Sequence, residues 1–167
     1  MYRIRDFYGK NIINEKGKII GKVVDIIIDI NNCNICGFSG KKNGLFSKEF
    51  YVLKKDLIYI GESIVTRRLC KKEMFTFNKI KGMEVVNLKG DVIGILEDIL
   101  FCEEEFKILG LMLCENFFKN YVVGKRIVLL KDIILGESEV LFINKQPYYF
   151  YSKLNFSKDK GECDEKN

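Results

Sequence analysis

The sequence predicts an all-β protein made of two tandem, small antiparallel β-barrels that are related by an internal repeat. Residues 9–37 recur at 82–110 without a gap, at a constant offset of 73 positions. The chain is rich in Ile, Val, Phe and Tyr and contains no Ala or Trp, a composition that favours strands. Short apolar runs alternate with glycine and polar turn residues, as in small barrels. A fixed period with this much identity indicates that one structural unit was duplicated.

The first copy is predicted to contain six short strands. They are 11–14, 19–29, 35–39, 50–53, 57–60 and 64–66. Gly17 lies in the turn between the first two strands, where a positive φ costs glycine little. Gly21 interrupts the long second strand and predicts a bulge there. Apolar residues fall on both faces of this strand, so its alternation is not clean.

The second copy follows the same plan. Its first predicted strands are 85–87, 92–101 and 106–114, and the loop 116–121 carries the difference in length between the copies. The predicted domains are a first barrel at 1–66, a short basic connector at 67–81, a second barrel at 82–151 and a polar, disordered tail at 152–167. The connector is expected to be ordered, with one helical turn. Each half is expected to build its own small core.

Glycines, apolar residues and aspartates recur at the same spacing in both copies, ahead of a turn and a strand that begins with glycine. These positions are Gly17, Ile20, Gly21, Val23, Asp25, Ile28, Asp29, Gly37 and 56–61 in the first copy, and Gly90, Ile93, Gly94, Leu96, Asp98, Phe101, Gly110 and 132–136 in the second. The pattern resembles the PRC-barrel family, the small β-barrel first described for the cytoplasmic part of the photosynthetic reaction centre H subunit.

The resemblance implies a non-enzymatic scaffold that docks a protein partner. Members of the family include a ribosome maturation factor whose barrel contacts a small-subunit ribosomal protein, and short standalone proteins of spore-forming bacteria. We therefore expect a bacterial protein with a binding role, and fold-level similarity does not select the partner.

The residues offer little for catalysis or for cofactor binding. The chain contains no His, which removes the commonest catalytic base and the commonest zinc ligand. Cys33 and Cys36 have the CxxC spacing of metal and redox sites. They align with Phe106 and Leu109 in the second copy, however, which favours a role as small hydrophobic residues of the core. We predict no enzyme activity, no cofactor and no metal site.

Two aspartate positions recur in both copies. Asp25 corresponds to Asp98, and Asp56 corresponds to Asp132. A pair of carboxylates can act as acid and base, but duplication places one member of each pair in each barrel. We therefore expect these side chains to accept hydrogen bonds from turns and backbone N–H groups.

Candidate binding residues lie outside the shared pattern, in two basic segments and one aromatic segment. They are Lys41, Lys42, Phe46 and Lys48 in a loop, Arg67, Arg68, Lys71 and Lys72 in the connector, and Tyr148, Tyr149, Phe150 and Tyr151 near the end. Basic side chains next to aromatic ones are how small barrels bind RNA. Solvated loops and packing of the aromatic segment are the alternatives.

Charge and hydropathy set the remaining expectations. The net charge of +5 permits a polyanionic partner without requiring one. The first residues lack the apolar segment of a signal peptide, and no apolar run approaches the roughly 20 residues of a membrane span. We expect a cytoplasmic protein with reduced cysteines and a protein partner. RNA or the ribosome is the alternative partner, and a homodimer stays open.

Overall fold

The structure is a computed structural model that describes residues 2–42, 44, 47–114 and 125–144, and the backbone of 148–150. The described residues form fourteen β-strands and four single-turn 3-10 helices, without an α-helix, which confirms the all-β class. The strands are β1 Tyr2–Arg3, β2 Asn11–Asn14, β3 Ile19–Asp29, β4 Asn34–Lys41, β5 Glu49–Leu53, β6 Leu57–Ile60, β7 Ser63–Thr66, β8 Glu84–Asn87, β9 Val92–Cys102, β10 Lys107–Cys114, β11 Lys125–Val128, β12 Ile133–Leu135, β13 Glu139–Phe142 and β14 Tyr148–Phe150.

The strands form one continuous sheet that runs through both copies. Its path is β12-β13-β8-β9-β10-β4-β3-β2-β7-β6, with β5 on β4, β11 on β10, β14 on β11 and β1 on β9. Two pairs, β2 with β7 and β8 with β13, are parallel and not antiparallel as expected. Strands β5 and β6 do not pair with each other, because a 3-10 turn at Lys54–Asp56 connects them in place of a hairpin. The described pairings therefore leave the sheet open between β6 and β12.

A β-bulge in each long strand explains the irregular pattern of its side chains. The register of β3 against β4 shifts between Val23 and Asp25, and that of β9 against β10 shifts between Leu96 and Asp98. An extra residue at such a shift turns the following side chains to the other face of the strand. Both aspartates are thereby buried, at 2% and 7% exposure.

The two copies meet through reciprocal backbone hydrogen bonds at the start of β4 and β10. The N–H of Ile35 donates to the carbonyl of Phe106 at 2.7 Å, and the N–H of Ile108 donates to the carbonyl of Cys33 at 2.8 Å. Each of these residues is the counterpart of another at the offset of 73 positions. The contact is therefore that of a pseudo-two-fold axis within a single chain.

Each copy begins with a segment that packs on the other copy. We call these segments, 2–8 and 75–81, the first and second lead-ins. Strand β1 pairs with Leu100 and Phe101 of β9. The second lead-in mirrors this, because Thr76 bridges Ile27 and the carbonyl of Phe75 accepts the N–H of Ile28 at 3.0 Å. The halves have exchanged their lead-ins.

The exchange produces one shared core where we expected two separate ones. The main cluster of buried side chains extends from Ile4 to Phe142 and includes residues of both copies, and a second, small cluster in the second half contains Leu100, Met112 and Ile127. Phe7 lies at its centre, with ring centroids 5.3 Å from Phe38 of β4 and 5.4 Å from Phe101 of β9. Neither copy, at this size, buries much apolar surface without its neighbour.

Candidate partner-binding groove

A groove of about 970 Å³ lies between the halves on one side of the pseudo-two-fold axis. We call it the junction groove. Both halves of the protein line the groove. The first half contributes Ile27, Ile28, Asp29, Ile30, Asn31, Cys33 and Cys36. The second half contributes Leu130, Lys131, Ile133, Ile134 and Leu135, together with Phe75 of the second lead-in and the preceding Met74. Most of these side chains are apolar, and large apolar grooves between structural units are common binding sites.

The two cysteines of the CxxC motif line the junction groove and are not fully buried in the core. Both are half-buried free thiols. Cys33 packs against the shared core, and its thiol donates a weak hydrogen bond to the carbonyl of Ile30 at 3.7 Å. Burial raises the pKa of the Cys36 thiol, and the charge of Asp29 raises it further. A thiol with a raised pKa is a poor nucleophile at neutral pH, so Cys36 lacks the activation of a catalytic thiol.

Apolar side chains also form the exposed rim of the junction groove. Phe75 is 41% exposed and Ile134 is 56% exposed. Ile58 is the counterpart of Ile134 in the first copy and is 46% exposed, but it lies outside the residues that line the groove. It therefore offers a matched control position for experiments at the rim.

On the opposite side of the axis, which we call the filled side, Phe106 and Lys54 stand at the positions that correspond to Cys33 and Leu130, and a smaller pocket of about 500 Å³ lies beside Lys54. Phe106, the counterpart of Cys33, is buried, and its ring packs edge-on against Phe38 at 6.3 Å. Lys54, the counterpart of Leu130, places its Nζ 4.7 Å from the centroid of the Phe106 ring. The copies share their backbone here and differ in side-chain volume and charge.

The predicted basic residues lie on the first half, away from the junction groove. Lys42 and Lys48 are exposed, and Lys41 ends β4, where it pairs with Lys22 and Glu49. Arg67, Arg68, Lys71 and Lys72 are exposed in the connector.

The connector meets the first half at β5. Tyr51 and Cys70 form an antiparallel bridge, in which each N–H donates to the other carbonyl at 2.8 Å. Lys71 and Lys72 follow Cys70 and are therefore directed towards the start of β5, whereas Arg67 precedes Cys70 and donates its N–H to the carbonyl of Asp56, beyond the other end of β5. Phe46 and Tyr151 lie outside the described residues. Of Tyr148, Tyr149 and Phe150 the structure describes only the backbone, which pairs with β11.

Asp25 and Asp98 hold the exchanged lead-ins in place, which confirms the expected role as backbone acceptors for this one of the two recurring aspartate pairs. An oxygen of Asp98 accepts the N–H of Ile4 at 3.1 Å, and an oxygen of Asp25 accepts the N–H of Asn78 at 2.8 Å. Each carboxylate also accepts the N–H of the residue that follows it, at 2.8 Å. Both aspartates are thus committed to the junction between the halves.

Tyr8 lies close to both carboxylates. Burial, followed by the charges of Asp25 and Asp98, raises the pKa of the Tyr8 hydroxyl to about 12. Lys81, the counterpart of Tyr8 in the second lead-in, places its Nζ 5.6 Å from the centroid of the Tyr8 ring. The tyrosine therefore stays neutral at physiological pH.

The buried aspartates should make stability depend on pH. Burial raises the pKa of both carboxyl groups above the ordinary value of 3.8, so the folded state binds protons that the unfolded state has released. Stability is therefore expected to fall as pH rises from the ordinary pKa through the raised one. Asp98→Asn should flatten this slope in urea unfolding measured from pH 4 to pH 7, because the amide does not titrate.

Asp25→Asn separates titration from hydrogen bonding. Both N–H groups use the same oxygen of Asp98, but they use different oxygens of Asp25. An asparagine at position 25 leaves one of these N–H groups unpaired. The variant should therefore lose about 1–3 kcal/mol of unfolding free energy at every pH, in addition to losing the contribution of Asp25 to the pH dependence. A wild-type slope in the Asp98→Asn protein would contradict the assignment.

The sequence alone does not predict the junction groove, although it contains a signal for it. The alignment of Cys33 with Phe106 on its own favours packing of both residues in the core. The fold places Leu130 in the same groove as Cys33, and it places Lys54 against Phe106. Each of these pairs is distant in sequence, so the groove can be recognised only in the structure. Both differences between the copies then fall at one site.

Within the described part of the chain, no three Cys, Asp or Glu side chains come together in a way that could hold a metal ion. None of the helical segments described has the length and hydropathy of a membrane-spanning helix.

Comparison with known proteins identifies the fold family. The model of the PRC-barrel domain matches residues 1–64 and 72–142, so each match includes one lead-in. The chain is also 31% identical over 64 residues to the uncharacterized protein YrrD of Bacillus subtilis (strain 168), which covers 38% of this chain and 37% of YrrD. The aligned part thus spans little more than a third of that relative. With two matched copies that cover most of its length, the chain belongs to the PRC-barrel domain family.

Proposed function

We propose that this protein is a non-enzymatic scaffold that docks a protein partner in the junction groove. One observation carries the proposal: the copies differ where Cys33 and Leu130 replace Phe106 and Lys54, and this difference leaves an apolar groove between the halves. Exposed apolar patches of this kind mark protein-interaction sites more often than ordinary surface.

The absence of a catalytic role is part of the same proposal. The chain contains no His, and the buried Asp25 and Asp98 accept backbone hydrogen bonds at the junction, whereas one oxygen of the buried Asp132 has no partner among the described residues. Membership of a family of small barrel domains supports a binding role over catalysis. We place the protein in the bacterial cytoplasm, where its thiols would stay reduced.

A photo-crosslinker in the groove tests the docking site. Replacement of Ile134 by the photoreactive residue p-benzoylphenylalanine should give reproducible adducts with one protein on irradiation of the native cells. The adduct would be identified by mass spectrometry. The same replacement of Ile58, the exposed counterpart outside the groove, should give at most a tenth of the yield.

Equal yields from the two positions, or no adduct from Ile134, would contradict a docking site in the groove. An adduct with a second copy of the chain would identify the partner as the protein itself, in a homodimer.

An RNA- or ribosome-associated factor is the second candidate, favoured by the bridge between Tyr51 and Cys70, which directs Lys71 and Lys72 of the connector towards the basic loop. Residues 1–81 contain 17 Lys or Arg and 8 Asp or Glu, whereas residues 82–142 contain 6 and 11. The positive charge is therefore concentrated on the first half and the connector, where it could contact phosphates.

This second function predicts salt-sensitive binding of RNA. A fluorescent single-stranded RNA should bind the full chain with an affinity that falls steeply as salt rises, because bound phosphates release counterions. Reversal of charge at Arg67, Arg68, Lys71 and Lys72 should reduce the affinity at least about tenfold and lower the salt slope. Binding that is absent or independent of salt would eliminate this function.

A further inference from the structure

We infer that the junction groove accepts an aromatic side chain of the partner together with a neighbouring Lys or Arg. This inference rests on the proposed docking function and specifies the chemistry of the docked segment. Its basis is the opposite side of the pseudo-two-fold axis, where the protein itself shows which groups complete the same backbone framework.

The filled side contains a ring covered by a cation. Phe106 is only 6% exposed and packs against Phe38. Lys54 covers the outer side of this ring, and its Nζ also donates to the carbonyl of Glu105 at 2.9 Å. A cation over an aromatic face gains from the ring quadrupole and excludes water from the ring.

The open side keeps the backbone and lacks both groups. Cys33 has a φ of 54° and Phe106 a φ of 59°, an uncommon conformation shared by the two turns. The Cα–Cβ bonds thus leave equivalent turns, but the Cys33 side chain ends at a single sulfur. Leu130 replaces Lys54 and has no group that can donate to a carbonyl. The Phe106 ring and the Lys54 cation therefore have no equivalent at Cys33 and Leu130, although Phe75 and Lys131 lie elsewhere on the groove wall.

The charges of the open side suit a cation from outside. Asp29 lines the groove, and its carboxylate accepts the N–H of Asn32 at 3.1 Å and the side-chain amide of Asn32 at 2.7 Å. These hydrogen bonds lower the pKa of Asp29, so it carries its negative charge at neutral pH. Its counterpart Cys102 carries no such charge. Lys131 also lines the groove, but it is exposed and can extend into solvent.

The groove is also continuous with the interface between the halves. Cys33, whose carbonyl accepts the hydrogen bond from Ile108, contributes to the groove lining. A docked ring would thus extend a contact that the protein already makes, next to the shared core.

A tetrapeptide probe tests the inference directly. Acetyl-Gly-Phe-Lys-Gly-amide would be titrated into the full-length, 15N-labelled chain under reducing conditions, and backbone amide shifts would be followed by NMR. We expect saturable shifts at the residues that line the groove. The peptide with Ala for Phe should bind at least about tenfold more weakly, and the peptide with Glu for Lys several-fold more weakly.

Two variants give the matching test on the protein. Cys33→Phe supplies the ring that the second copy carries, and it should reduce the affinity for the probe about tenfold while the chain stays folded. Leu130→Lys supplies the cation and should act in the same direction. Ile134→Ala at the rim should weaken binding, whereas Ile58→Ala at the counterpart position should not.

The inference would be overturned by equal affinity for the Phe and Ala probes, by shifts confined to residues outside the groove, or by wild-type affinity in a folded Cys33→Phe protein. Shifts of the same groove amides on dilution of the chain alone would reveal a second copy as the occupant and would also overturn it. These results are distinct from failure of the docking function. If a partner still crosslinks at Ile134 after its aromatic residues are replaced, the docking function stands and only the inference of an aromatic side chain in the groove is wrong.

Discussion

Replacement of Phe7 by alanine is expected to lower the free energy of unfolding by about 3–5 kcal/mol, because the variant removes a fully buried ring from the centre of the shared core. Phe7 has 0% exposure and packs against Phe38 of one half and Phe101 of the other. The surrounding side chains belong to paired strands, so the space can collapse only in part. Urea unfolding followed by circular dichroism and by tyrosine fluorescence would measure the loss.

Phe75→Ala provides the control for this experiment. Phe75 also belongs to a lead-in, but it is 41% exposed, so its truncation should cost less than about 1 kcal/mol. The Phe7→Ala protein should unfold at a lower urea concentration in one transition that includes both halves. Two separate transitions, with only the first half affected, would show that the halves do not share a core.

Gly37→Ala is expected to destabilise the protein by about 3–5 kcal/mol, for reasons of backbone geometry. Gly37 has a φ of +148°, a conformation that residues with a Cβ rarely adopt. An added Cβ would also overlap the carbonyl of Val52 on β5, and backbone on both sides prevents the strands from separating without loss of their pairing. Thermal and urea unfolding would measure the change.

Gly17→Ala separates the two causes. Gly17 has a φ of +78°, and nothing lies within 4 Å of the position that a Cβ would take. This variant should therefore cost only about 1–2 kcal/mol, the price of the left-handed conformation for an alanine. If both variants lost the same unfolding free energy, the contact with Val52 would contribute nothing, which would contradict the close packing of Gly37 against β5.

Much of the fold could be predicted from local pattern and from the repeat. The turn at Gly17 and the strands 11–14 and 57–60 are confirmed with their bounds. The irregular register expected near Gly21 is also present, since β2 and β3 slip between Ile12 and Ile13, opposite that glycine. These features depend on residues within a few positions of one another, where turn chemistry and strand preference act directly.

The exchange of lead-ins could not be predicted in the same way. The sequence 2–8 is equally compatible with packing on its own half or on the other, because both halves offer nearly the same strand. The sequence does not predict the parallel pairing of β2 with β7 for a similar reason, since a short apolar run does not specify the direction of the strand beside it. The junction groove requires residues from both halves and therefore follows from the exchange.

The exchanged lead-ins also impose an order on folding during synthesis. Tyr2 pairs with Phe101, so the strand that contains Tyr2 cannot be completed until nearly 100 further residues have been made. The first half meanwhile lacks the segment around Thr76 that bridges its own long strand. Neither half can reach its final structure before the other has emerged, so the nascent chain stays incomplete and exposed to aggregation or proteolysis until late in translation.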